Sequence, residues 1–93
     1  MPGYVVVVLR AYPKEVREDL ENIVEKIKQK IGDKAYNIMK WEPVDIAFGY
    51  RAIDLYISMP EDMESGTEEI EEIIRSVEDI ENVDVVYLTR IGA

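Results

Sequence analysis

Tyr50-Arg51-Ala52-Ile53-Asp54-Leu55-Tyr56-Ile57-Ser58-Met59 alternates with a period of two, which sets Ile53, Leu55, Ile57 and Met59 on one side and Asp54, Tyr56 and Ser58 on the other. This is the pattern of a half-buried strand, with one face toward a core and one toward water. A sheet built on it needs helices over its apolar side, and the rest of the chain supplies them.

Upstream, Tyr4 to Tyr12 is β-branched and aromatic almost throughout, which suits a central strand ended by Pro13. From Lys14 to Ile31, Val16, Leu20, Ile23, Val24, Ile27 and Ile31 form one helical stripe. Pro13 fits the first turn of such a helix, and Gly32 the position just past its end. Ala35 to Glu42 reads as a second strand stopped by Pro43, with Val44 to Gly49 as the connection to Tyr50.

Downstream, Pro60 to Gly66 is an acidic turn region, and Ser65 with Glu68 has capping-box spacing. Ile70, Ile73, Ile74 and Val77 make a second helical stripe, Asp79 to Asn82 a turn, and Val83 to Leu88 a last strand. The order is βαββαβ. The expected fold is α+β: the ferredoxin-like split βαβ arrangement, a four-stranded antiparallel sheet with two helices on one face.

At 93 residues, with 47% hydrophobic and 33% charged residues, the chain is expected to form a single domain over 1–93 with one core. It has no cysteine and no histidine, which removes disulfides, thiolate chemistry, imidazole acid–base work and zinc sites made from those ligands. The longest apolar run, Tyr4 to Leu9, is too short to span a bilayer, so no membrane association is expected. The reading is cytoplasmic and mature from Met1. A net charge of −9 opposes attraction to phosphate backbones, so direct nucleic-acid binding is not expected. Abundant Glu, Lys and Ile without Cys leans toward a thermophile's usage.

Chemistry-bearing clusters are scarce. Glu61-Asp62-Met63-Glu64 and Glu68-Glu69-Ile70-Glu71-Glu72 read as solvated acidic surface, since helical carboxylates spread around the exposed side. Ser58, Ser65, Thr67 and Ser76 have no histidine to activate them, and the glycines are scattered rather than gathered in a phosphate loop. No catalytic residue, cofactor or metal is expected, and the chain is not read as an enzyme.

Two places stand out instead. Phe48, the sole phenylalanine, sits in Ile46-Ala47-Phe48-Gly49 on a connection, either as an exposed interface anchor or as a plug folded over the end of the sheet. Arg90 follows Val85-Val86-Tyr87-Leu88-Thr89, either as a solvated cation or as a contact. With Ile46-Ala47-Phe48-Gly49 and the strand after it, Gly66-Thr67-Glu68, and Asn82-Val83-Asp84-Val85 leading to Arg90, the whole chain resembles the archaeal translation elongation factor 1-beta family. It is similar also to the C-terminal exchange domain of the eukaryotic factor.

That resemblance implies guanine-nucleotide exchange on elongation factor 1-alpha, the GTPase that delivers aminoacyl-tRNA to the ribosome. By resemblance, Phe48, flanked by Ala47 and Gly49, matches a phenylalanine inserted into an apolar pocket of the GTPase. Arg90 falls where the eukaryotic domain carries a lysine that disturbs the magnesium site. A guanidinium is not a compact ammonium, and Ile91-Gly92-Ala93 extends past it. In a split βαβ topology Phe48 and Arg90 should lie at opposite ends of the sheet. The expected footprint is elongated, with Val6, Val8 and Tyr56 as candidates for a contact face, and the factor is expected to act as a monomer. The alternative, from a different class, is a small-molecule-binding regulatory domain of the same fold acting as a dimer.

Overall fold

The structure is a computed structural model that describes residues 3–61 and 67–91, the side chain of Ile91 excepted. Six elements follow in the expected βαββαβ order: β1 (Tyr4–Pro13), α1 (Leu20–Ile31), β2 (Asn37–Ala47), β3 (Tyr50–Pro60), α2 (Glu68–Arg75) and β4 (Ile80–Ile91). The strands form one antiparallel sheet ordered β2-β3-β1-β4. This is the ferredoxin-like α+β fold that the sequence pattern predicts.

Alternation decides which face the helices cover. Val5, Val7, Leu9 and Ala11 of β1 lie beside Met59, Ile57, Leu55 and Ile53 of β3 in register, and all are buried. Against this face pack Leu20, Ile23, Val24, Ile27 and Ile31 of α1 and Ile70 and Ile74 of α2, with Val77, Ile80 and Val83 closing one end. Burial of each such side chain contributes on the order of 1.5–3 kcal/mol, which is why two short helices stay docked. Tyr36, also buried, donates its hydroxyl to Glu69 Oε1 at 2.7 Å and so ties the approach to β2 to α2.

Element boundaries differ from the sequence reading in several places. The first helix starts at Leu20, not Lys14, and Pro13 ends β1 rather than opening a helical turn. The Lys14 N–H is bonded to the carbonyl of Asp79 at 2.9 Å, which holds the chain against the start of β4 and off the helical path. Val16 is consequently 61% exposed and not part of the stripe. β2 runs through Pro43 to Ala47, leaving Phe48 and Gly49 as the entire turn. As β2 is an edge strand, Pro43 sacrifices no ladder bond when its nitrogen faces outward.

β4 begins at Ile80 and ends at Ile91, so the turn expected over Asp79 to Asn82 shrinks to a tight link in which the Ile80 N–H bonds to Val77 C=O at 3.0 Å. The Ser65 capping position lies outside the described residues. Thr67 precedes α2, and its hydroxyl bonds Glu71 Oε2 at 2.9 Å rather than a backbone amide.

Asp79 joins these pieces. Its carboxylate accepts from Lys26 of α1 at 2.6 Å and meets Arg17 at 3.0 Å. The hydrogen bond from Lys26, aided by both positive charges, holds the carboxyl below its ordinary pKa. A depressed folded-state pKa means that the stabilisation is complete above the ordinary carboxylate value of about 3.9 and fades as pH drops through the lower folded value. Asp79→Asn is therefore expected to lower the Tm at pH 7 by a few degrees, as about 1 kcal/mol is lost from a partly exposed pair network. Thermal melts followed by circular dichroism should show that gap narrowing toward about pH 2, whereas an equal gap at both pH values would mean the charge plays no part.

Candidate functional site

The β2–β3 hairpin carries the first of the two singled-out places. Ala47 pairs with Tyr50, so Phe48 and Gly49 form a two-residue turn, with φ of 50° and 79°. Two successive positive φ values are the signature of a type I′ turn, whose twist matches that of the flanking strands. Gly49 suits this conformation, and a Cβ there would meet nothing within 4 Å, so its constraint is conformational rather than steric crowding. Phe48 does not suit it. A bulky L-residue in the left-handed region costs about 1–2 kcal/mol, which is why Asn or Gly normally fills this position.

No internal packing offsets that strain, because Phe48 is fully exposed at 103%. Of the two sequence readings, the structure excludes the core plug. Ile46 is a bulge residue between the Asp45↔Arg51 and Ala47↔Tyr50 pairs and is also exposed, so Ile46, Ala47 and Phe48 give the tip an apolar character. Strained residues with solvent-facing apolar side chains are where function is sought first.

Arg90 occupies the other end. It pairs with Val5, which pairs in turn with Met59, nine positions along β3 from Tyr50. At the rise of an extended strand this separates Arg90 from the hairpin by about 30 Å. The separation that the topology predicts is present, and the two residues do not share a pocket. The Arg90 side chain is exposed. Before it, Val85, Val86, Tyr87 and Leu88 are 43–60% exposed along the free edge of the sheet, with a bulge at Val86 where Val8↔Tyr87 gives way to Leu9↔Val85.

Between these ends the face away from the helices is organised in rows across the strands. Glu42, Asp54, Arg10 and Asp84 make one row, and Lys40, Tyr56, Val8 and Tyr87 the next. Arg10 donates to both oxygens of Asp54 at 2.8 and 3.2 Å, which satisfies the one buried carboxylate among the described residues and raises the guanidinium pKa further. Lys40 sits 4.5 Å above the Tyr56 ring. Val6 and Val8 lie on the open face as expected, Val8 between Tyr56 and Tyr87 and Val6 between Ser58 and Thr89, but at 8% exposure for Val6 and 6% for Val8 they offer almost no surface for a contact. Tyr56 is half-buried, and Tyr87, which the sequence did not single out for this face, presents more area at 60%.

Among the described residues no group of His, Cys, Asp or Glu could hold a metal ion, and no helix is long and apolar enough to cross a membrane. The described surface depressions are shallow, such as the polar one lined by Lys14, Glu15, Arg17, Glu78 and Asp79, and none of them includes Phe48 or Arg90.

Residues 6–91 match the EF-1 guanine nucleotide exchange domain family, which sets the class of this chain. Elongation factor 1-beta of Hyperthermus butylicus is 42% identical over 88 residues, covering 95% of both chains. That of Ignicoccus hospitalis is 36% identical over 88 residues, covering 95% of this chain and 93% of its own. The C-terminal domain of the MgtC protein from Mycobacterium tuberculosis shares the fold with a TM-score of 0.58 at 9% identity, over 98% of this chain and 89% of that one. The chain belongs to the archaeal elongation factor 1-beta family, and a role in nucleotide exchange during translation elongation goes with that membership.

Strain at Phe48 has a measurable consequence. Phe48→Asn should raise stability by about 0.5–1 kcal/mol, since Asn tolerates the left-handed region and no core contact is lost. Gly49→Ala should lower it by a similar or larger amount despite the open space around it. Urea unfolding of the two variants checks both signs; a destabilised Phe48→Asn would mean that the ring packs against the fold after all.

Proposed function

We propose that this chain promotes GDP release from elongation factor 1-alpha so that GTP can rebind, and that it holds the GTPase through Phe48, Ala47 and Gly49 at one end and Arg90 at the other. The presentation of Phe48 carries this reading: a fully exposed aromatic, kept in a strained turn, has a use only outside its own fold. No covalent bond is made or broken in such a process, and the chain is read as a non-enzymatic binding factor. It would act as a monomer in the cytoplasm, without direct contact to nucleic acid.

An exchange factor works by binding the nucleotide-free GTPase better than the loaded one. Linkage requires that nucleotide weaken the factor's own hold by the same factor. A thousandfold faster release corresponds to about 4 kcal/mol of differential stabilisation at the release barrier. One desolvated aromatic anchor is typically worth about 2–4 kcal/mol, so Phe48 can supply the larger part. Arg90, a charge-assisted donor on an exposed strand end, supplies a smaller electrostatic share toward the nucleotide site.

Release of labelled GDP from the cognate elongation factor 1-alpha is the direct test. Phe48→Ala is expected to slow factor-stimulated release by more than about tenfold, and Arg90→Ala by a few-fold. Wild-type chain that leaves release at the spontaneous rate would overturn the reading.

A further inference from the structure

Tyr50 follows the turn directly and closes the hairpin opposite Ala47. Its hydroxyl donates to the main-chain oxygen of Pro13 at 2.6 Å, a contact across 37 positions of sequence. Pro13 is the buried last residue of β1. The next residue, Lys14, donates its N–H to the carbonyl of Asp79, whose carboxylate in turn holds Lys26 of α1 and Arg17. One hydroxyl thus connects the turn end of the hairpin to the junction of β1, α1 and β4.

The hairpin needs such a connection. Pairing between β1 and β3 ends at Ala11↔Ile53, so from Ala52 outward the β2–β3 ribbon has no β1 ladder beside it. A two-stranded ribbon by itself is marginally stable. Among described residues 43–51, the Tyr50–Pro13 bond is the one side-chain hydrogen bond to the rest of the fold. Burial, followed by the nearby Tyr12 and Glu81, pushes the Tyr50 hydroxyl above its ordinary pKa, so it stays protonated and a donor at working pH.

We propose that Tyr50 is a positioning residue, whose hydrogen bond to Pro13 fixes the projecting hairpin in the orientation that presents Phe48 to a protein partner. This rests on the exchange reading above. A hairpin released from Pro13 has to be ordered on binding, and that ordering falls on affinity more than on the maximal rate.

The test is a cycle of wild type, Tyr50→Phe, Phe48→Ala and the double variant, with GDP release from the cognate elongation factor 1-alpha measured against factor concentration. Tyr50→Phe should raise the half-saturating concentration roughly three- to tenfold, with the maximal rate within about twofold. Backbone amide order parameters at residues 47–49 should fall, those of β1 and β3 under the helices staying as they are. In the Phe48→Ala background the same change should raise half-saturation no further. Wild-type half-saturation or undiminished hairpin order in Tyr50→Phe overturns the inference, as does an equal rise in both backgrounds. Inactive wild type overturns the exchange reading and this inference with it; active wild type with an unaffected Tyr50→Phe overturns the inference alone.

Discussion

Val5, Val7, Leu9 and Ala11 of β1 and Ile53, Leu55, Ile57 and Met59 of β3 must all lie beneath the helices, and a slip of one residue in either strand would turn that strand's whole apolar set toward water. That constraint fixes the register of the two central strands. Once it is fixed, β3 must emerge from its turn beyond the end of β1, and β4 must run back to finish beside Tyr4 and Val5. The distance between Phe48 and Arg90 is therefore a consequence of core burial. Neither residue contributes to that core.

The two edges of the sheet are treated differently. β2 carries Pro43, Lys40 and Glu42 and bulges at Met39 and Ile46, all features that blunt an edge against unwanted pairing. β4 has a bulge at Val86 but leaves Val85, Val86, Tyr87 and Leu88 in solvent. On the open face, carboxylates outnumber cations in the central row, and only Arg10 is there to pair with Asp54. The strong net negative charge thus spreads over a surface interrupted by exposed apolar residues at the hairpin tip and along β4.

How much of this the sequence carries depends on the range of the interaction. Period-two alternation in Tyr50 to Met59 and the stripes Leu20–Ile31 and Ile70–Val77 are local, and from them the element order and fold follow directly. The errors come from contacts that no local window contains. Lys14 is kept off the helix by a carbonyl at Asp79, and Pro43 is tolerated because β2 is an edge, which depends on strand order. For the site, the sequence singles out Phe48 as a residue outside any stripe but leaves its direction open. Exposure is decided by the two-residue turn, and that turn depends on β2 continuing through Pro43. Tyr50 carries no local signal at all, since its partner oxygen is 37 positions away.

Strain of about 1–2 kcal/mol at Phe48 is a sizeable fraction of the stability of a domain this small, typically about 5–15 kcal/mol. It is tolerable because it sits on a ribbon outside the core, where it cannot propagate into the packing of β1 against the helices. The same isolation creates a second problem. For a two-point hold on one partner, the first contact raises the effective concentration of the second only when the spacing between them is kept. From Arg90 to Ile53 that spacing is kept by ladders on both sides of β1 and by the helices behind it. From Ala52 to Phe48 it is kept by a two-stranded ribbon, so the stiffness of the whole span is set by its last few residues and by whatever ties them back to β1.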